Sequence, residues 1–236
     1  MIRAVLFDMY ETLCTHYRSP LYFGAQIADD CGVDRSLFLS LWRDGDQERA
    51  RTLGHLTLAG MLEDILPRCG IADPVRRAEL IQLVYEKRIQ CKTQCLHTLH
   101  PEILPMLHGL KARGMKLGVI SNCYDEEARA IRAWTEGRCF DTLTLSCEEH
   151  LQKPDPAIFR RCMDRLDVAP EECLYIGDGG SRELETARSL GMEAAQAAWY
   201  FLATEGYPSA PKEGFLQLGR PMEVVGMCSG AAASRM

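Results

Sequence analysis

The chain contains no run of about eighteen apolar residues, the length that crosses a bilayer as a helix, although 47% of its residues are hydrophobic. It has no GxxxxGK[ST] phosphate loop, no GxSxG elbow and no HExxH pair. These absences argue against P-loop nucleotide binding, a serine nucleophile of the α/β-hydrolase kind and a zincin-type metal site. Positive charge is in short supply: 27 Lys and Arg against 33 Asp and Glu, a net charge of −6. Such a surface offers no general attraction to nucleic acid or an anionic membrane, so a phosphorylated ligand needs a local cationic site or a metal. The opening residues, MIRAVLFDMY, run straight into a strand pattern with no signal-like apolar region. A cytoplasmic chain is expected. Cysteine is not scarce, but the eleven residues are scattered, odd in number and without a second pair or a histidine cluster beside Cys91 and Cys95. They are expected to be reduced and mostly buried rather than a disulfide framework or a zinc site.

The short apolar run Ile2 to Phe7 ends at Asp8, and the layout recurs. Lys116 to Ile120 leads to Ser121 and Asn122, and Cys173 to Ile176 leads to Gly177 and Asp178, with a weaker run from Thr142 to Leu145. Runs of this kind read as buried parallel strands. Helical spacing lies between them, at Ile103, Leu104, Leu107 and Leu110, at Ala128, Ile131 and Trp134, at Ile158 to Leu166 behind Pro156, and at Leu184, Ala187 and Leu190. The alternation predicts an α/β fold with a doubly wound, Rossmann-like parallel sheet. Beyond Trp199 the pattern fades. The stretch 17–95 has helical periodicity and no clear strand, which predicts an inserted all-helical cap. The core is then 1–16 and 96–228, with 229–236 a frayed tail.

Ligands of a doubly wound sheet bind beyond the carboxyl ends of its strands. Asp8, Ser121 with Asn122, and Asp178 all lie at such ends, and Lys153 falls in the loop after the fourth strand. Strand-end Asp and Ser often only cap turns or helices, but two carboxylates, a hydroxyl and an ammonium at one edge make an anion or metal site. Gly177-Asp178-Gly179-Gly180-Ser181-Arg182 opens like a dinucleotide fingerprint, yet Arg182 stands where its third glycine belongs and Asp178 would repel a pyrophosphate.

Four ordered motifs carry a resemblance to the haloacid dehalogenase-like hydrolases across nearly the whole chain. They are Asp8-Met9-Tyr10-Glu11-Thr12-Leu13, Ser121-Asn122, Lys153-Pro154-Asp155-Pro156 and Gly177-Asp178-Gly179-Gly180-Ser181-Arg182-Glu183. The resemblance implies Asp8 as covalent nucleophile, Thr12, Ser121 and Asn122 as holders of the substrate's anionic group, and Lys153 as the cation that offsets charge. It also implies Mg²⁺ bound by Asp8, the Tyr10 carbonyl and Asp178, with Glu183 in support. Phosphatases of this group usually have a second aspartate where this chain has Tyr10. A phenol with a pKa of about 10 donates a proton but is no base at neutral pH. The 2-haloacid dehalogenases resemble this chain at Tyr10 and at Trp42-Arg43, whose arginine helps bind the leaving halide. Asp178, and Phe159 where they carry tyrosine, point away from them.

The expected activity is that of a Mg²⁺-dependent phosphatase on a small, anionic metabolite. The alternatives are a metal-independent 2-haloacid dehalogenase, in which Glu183 activates water, and a degenerate member with a ligand-binding or regulatory role. A small-molecule substrate, no nucleic-acid or membrane partner, and a monomer or homodimer are expected. Arg43, Asp44 and Asp46 are the candidate cap residues for substrate choice.

Overall fold

The computed structural model describes residues 1–18, 21–203 and 210–228; the expected tail at 229–236 lies outside them. Six strands form one parallel sheet: β1 (Ala4–Phe7), β2 (Lys116–Ser121), β3 (Thr142–Leu145), β4 (Cys173–Gly177), β5 (Glu193–Ala197) and β6 (Leu216–Leu218). Their spatial order is β3-β2-β1-β4-β5-β6, all neighbours parallel. The chain first builds outward from β1 through β2 to β3, then returns to lay β4 on the other flank of β1. That reversal leaves a crevice at the carboxyl ends of β1 and β4, the place where doubly wound sheets bind ligands.

Alternation along the strands explains why both faces are covered. Val5, Phe7, Leu117, Val119, Leu174 and Ile176 point to one face, where they pack with Ile103 and Leu107 of α6 (Ile103–Ala112) and Ile131 of α7 (Asp125–Ala133). Ala4, Leu6, Ile120 and Tyr175 point to the other, against Phe159 of α9 (Pro156–Leu166), which follows the one-turn α8 (Ser146–Glu149), and Leu184 of α10 (Glu183–Ser189). Successive side chains of a strand face opposite sides, so a run apolar at every position needs cover on both. Gly118 in β2 is a close-packing site: a Cβ there would sit 2.8 Å from Cys162 Sγ and 2.9 Å from Leu6.

Five helices lie between β1 and α6: α1 (Gly24–Cys31), α2 (Arg35–Trp42), α3 (Gly45–Thr52), α4 (Leu58–Arg68) and α5 (Pro74–His97). Their apolar faces close on one another in a separate cluster around Ile27, Phe38, Leu62, Ile65 and Val84. Asp34, Asp44, Thr57 and Asp73 N-cap α2 to α5 with their side chains, the arrangement that satisfies the otherwise unpaired first-turn N–H groups. Among the described residues no helix is long and apolar enough to cross a membrane. All eleven cysteines are free thiols, eight of them buried.

β5 and β6 are absent from the sequence expectation. β5 reads EAAQA, with none of the β-branched or aromatic residues that mark a strand. β6 is a three-residue edge strand with Leu216 and Gln217 exposed. Both owe their conformation to pairing with a neighbour, and α11 (Glu223–Met227) closes the described chain.

Candidate active site

β1 delivers Asp8 to the crevice, and the Asp8 N–H donates to the Ile176 carbonyl at 2.8 Å, fixing its backbone against β4. The following loop turns back on itself, with the N–H groups of Leu13 and Cys14 both donating to the Met9 carbonyl and Glu11 held at a φ of 63°. It is clamped from outside by the Trp199 indole donating to the Thr12 carbonyl (2.9 Å) and the Tyr200 hydroxyl donating to the Leu13 carbonyl (3.0 Å). Thr12 is fully buried and its hydroxyl donates to Asp8 Oδ2 at 3.4 Å.

Lys153 joins the two sides of the crevice. Its ammonium bonds to Asp8 Oδ1 and, at 2.5 Å, to Glu183 Oε2. Its backbone is gripped in both directions by Asn122, whose side chain accepts from the Lys153 N–H at 2.8 Å and donates to its carbonyl at 3.0 Å. Asn122 therefore positions the lysine. Ser121 is buried at the end of β2, with its hydroxyl 3.4 Å from the Asn122 carbonyl. Glu183, the first residue of α10, also accepts from the Tyr175 hydroxyl (3.0 Å) and the Gly179 N–H (3.3 Å). Gly177 makes room for it, since a Cβ there would lie 2.1 Å from Glu183 Oε1. Tyr175 was hidden in the sequence inside an ordinary strand run.

Asp8, Asp178 and Glu183 bring carboxylate oxygens within 4.8 Å of one another. Burial, followed by the repulsion of Asp8, pushes Glu183 up to about 8. Burial also raises Asp8, against the pull of Lys153 and with the push of Asp178. For Lys153 burial opposes the charge, but Asp8 and Glu183 more than offset it and hold the ammonium above its ordinary value. Fully ionised, the three carboxylates outnumber the Lys153 ammonium, and the raised Glu183 and Asp8 register that surplus of negative charge. Oxygen ligands with that surplus suit a hard divalent cation such as Mg²⁺, so the residues present fit the metal.

Tyr10 presents no second carboxylate. Its hydroxyl is buried without a hydrogen-bond partner among the described residues, and burial and then Glu127 push the phenol well above its usual value. His16 lies over the ring at 4.4 Å between centroids.

The site opens into a cavity of about 700 Å³ between the helices α1–α5 and the sheet. Tyr10, Asn122 and Lys153 line its floor side, while Phe23, Trp42, Arg43, Arg51, Arg88 and Lys92 come from the cap helices and their loops. Arg43 is exposed, with no ion pair among the described residues. Asp44 and Asp46 are not among the lining residues; Asp44 is occupied as the cap of α3.

Nothing in the residue pattern signals how the cap is held. Three consecutive acids at the start of α7 each take a different hold. Asp125 accepts from the Leu58 N–H at 2.9 Å, Glu126 accepts from Arg51 and Arg88 at 2.8 Å, and Glu127 pairs with Lys92 at 2.6 Å. Glu126, Arg51, Arg88, Lys92 and Glu127 are all at most 5% exposed. An acidic first turn is an ordinary helix start, and only the fold shows what it faces.

Burial and then Glu126 push Asp125 up to about 6. The folded state thus binds its proton more tightly than the unfolded chain, where the group titrates near its ordinary value. Its contribution favours folding below the unfolded pKa and is lost as pH rises through about 6. Asp125→Asn keeps an acceptor for Leu58, and is expected to raise the melting temperature at pH 8 but not at pH 4. Equal shifts at both pH values would refute the assignment.

The fold and this edge together define a Rossmann-like hydrolase with an aspartate at the end of its first strand and a helical cap. The sequence profile of the haloacid dehalogenase-like hydrolases matches residues 2–191, and the chain belongs to that family. A glyceraldehyde 3-phosphate phosphatase of Methanopyrus kandleri is 30% identical over 99 residues, covering 39% of this chain and 40% of that protein. (S)-2-Haloacid dehalogenase 1 of a Pseudomonas species is 29% identical over 181 residues, covering 74% of this chain and 75% of its own length. For the first relatives matched, the aligned part is 8% to 40% of their own length. A solved HAD phosphatase from Thermococcus onnurineus superposes with a TM-score of 0.63 at 22% identity, covering 97% of this chain and 99% of that one. A HAD family enzyme of Bacteroides thetaiotaomicron, solved with magnesium and inorganic phosphate, gives 0.63 at 17% identity, covering 84% of this chain and 94% of that one. Phosphatases and dehalogenases thus both stand among its relatives.

Proposed function

We propose that this hydrolase is a Mg²⁺-dependent phosphatase of a small phosphorylated metabolite, with Asp8 as its nucleophile. The observation that carries the reading is the triad of carboxylates, Asp8, Asp178 and Glu183, within 4.8 Å, with Lys153 paired to Asp8 and Glu183. Metal-free attack on a carboxylate substrate would bring a further negative charge into that surplus, whereas a divalent ion removes it. Asp8, Asp178 and the Tyr10 carbonyl would hold the cation, with Glu183 supporting, and bound Mg²⁺ supplies charge neutralisation at the phosphoryl oxygens.

An Asp8 carboxylate oxygen attacks phosphorus in line, the P–O bond to the alcohol breaks, and water then hydrolyses the aspartyl phosphate to inorganic phosphate. Lys153 restrains the attacking carboxylate and offsets charge on the phosphoryl group. Thr12, Ser121 and Asn122 hold the phosphoryl group and the lysine in register. The alcohol needs a proton as it leaves. Tyr10 is the adjacent donor, and a poor one, because its environment holds the phenol proton tightly.

Tyr10 also favours a second reading, metal-independent cleavage of a 2-haloacid, since halide leaves without a proton. The two separate in one paired assay. Phosphate release from a panel of phosphate monoesters is measured with Mg²⁺ and with EDTA, and halide release from 2-chloropropionate with EDTA. Mg²⁺-dependent phosphate release is expected; halide release without metal would overturn the proposal in favour of the second reading. No turnover in either arm would leave a ligand-binding role.

Restoring a carboxylate gives a sharper prediction. A positioned acid–base group contributes about 10²–10⁴-fold, so Tyr10→Asp is expected to raise kcat for alkyl phosphates by about 10-fold or more. An unchanged kcat would show that proton transfer to the leaving group does not limit turnover.

A further inference from the structure

The cap wall of the cavity carries more positive charge than its neighbours neutralise. Glu126 engages Arg51 and Arg88, Glu127 engages Lys92, and Asp8 with Glu183 engages Lys153. Arg43 and Arg49 line the same cavity, are exposed, and have no ion pair among the described residues. Glu48, the nearest acid of that wall in sequence, accepts from the Tyr124 hydroxyl at 3.3 Å. This cationic strip stands out in a chain whose net charge is −6.

Arg51 adds an independent sign. It is 3% exposed, and its Nη2 is spent on both oxygens of Glu126, at 2.8 and 3.0 Å. Its Nε–H has no acceptor among the described residues. A buried donor without a partner is costly, and an acceptor that reaches it from the cavity lined by Arg51 would remove that cost. The guanidinium is held in place by two rings, with Cζ 3.9 Å from the Tyr124 ring centre and 5.4 Å from that of Trp42. A fixed guanidinium plane suits a carboxylate or a phosphate better than a neutral group does. The volume of about 700 Å³ also exceeds what a single small anion at Asp8 fills.

We propose that Arg49 and Arg51 of α3, with Arg43 in the preceding turn, form a subsite for a second anionic group on the substrate. The substrate class is a small molecule with two anionic groups: the reacting group faces Asp8 and Lys153, and a carboxylate or second phosphate lies against α3. The assignment rests on the reading of Asp8 as the reacting end, and it names what the cap selects.

Calorimetric titration of the Asp8→Asn protein in Mg²⁺ buffer tests it with two probe series. The phosphate series compares n-propyl phosphate with phosphoglycolate, 3-phosphoglycerate and propane-1,3-diyl bisphosphate; the second compares butyrate with succinate. One charge-assisted bond of about 1.4 kcal/mol corresponds to tenfold in Kd, so a second anion is expected to tighten binding by about tenfold or more. The carboxylate and bisphosphate arms show which anion fits. Arg49→Gln, at an exposed position outside the buried ion cluster, is expected to bring the ratio towards one. Arg51→Lys keeps the charge facing Glu126 but lacks the Nε–H, and is expected to lower the ratio as well. No second-anion preference in either series, or a preference that both substitutions leave intact, overturns the subsite. A phosphate series that binds nowhere, beside a succinate preference that Arg49→Gln removes, rejects the phosphatase reading and keeps the subsite.

Discussion

Asp8→Asn is expected to lower phosphate release by about 10⁴-fold or more, the scale seen when a nucleophile or its essential partner is removed. The amide retains the shape of the carboxylate but cannot attack phosphorus, and it can still accept from Thr12. Lys153 keeps its second partner, Glu183, so the melting temperature is expected to change far less than the rate. Single-turnover phosphate release and a thermal melt check both halves. Residual turnover above about a hundredth of the parent rate would mean that another group or a free water does the attacking. Loss of folding alongside activity would instead assign Asp8 a structural role in charge balance.

The second large effect lies in stability. Glu126→Ala removes the shared counter-charge of Arg51 and Arg88, which are 3% and 2% exposed. Removing one partner of a buried ion pair costs about 3–5 kcal/mol, because the remaining charge stays desolvated and unpaired. For a chain of this size 1 kcal/mol shifts the melting temperature by about 2–4 °C, so a fall of roughly 6–20 °C is expected. Glu126→Gln keeps an acceptor and should lose less. A shift within 2 °C for the alanine variant would mean that water or cap movement solvates the arginines. In that case the ion cluster does not hold the cap.

Much of the fold is legible in the residues because its strands are apolar at successive positions. Ala4 to Phe7 and Cys173 to Ile176 read as strands covered on two faces, and their polar ends, Asp8 and Asp178, follow into the same crevice. β5 escapes notice because its alanines have no preference that the neighbouring strand does not impose. Lys153 shows the same limit within the site. Its place in a loop motif suggests a role, but its grip by Asn122 and its sharing between Asp8 and Glu183 are tertiary facts. The least legible part is the cap contact. Arg51, Arg88 and Lys92 look like solvated residues of helices α3 and α5, and their burial depends on acids about 35 to 75 positions away in sequence.

Those acids stand on the same short stretch as Ser121 and Asn122. The segment that seats the cap is therefore continuous with the one that holds the backbone of Lys153. A transplanted cap without cations at the places of Arg51, Arg88 and Lys92 would leave Glu126 and Glu127 unmatched. Its misfit would reach the reacting carboxylate through Asn122 as well as through a changed cavity. Substrate range and catalytic strength are thus coupled through this segment, and a chimera that exchanges only the helices α1–α5 is expected to change both at once.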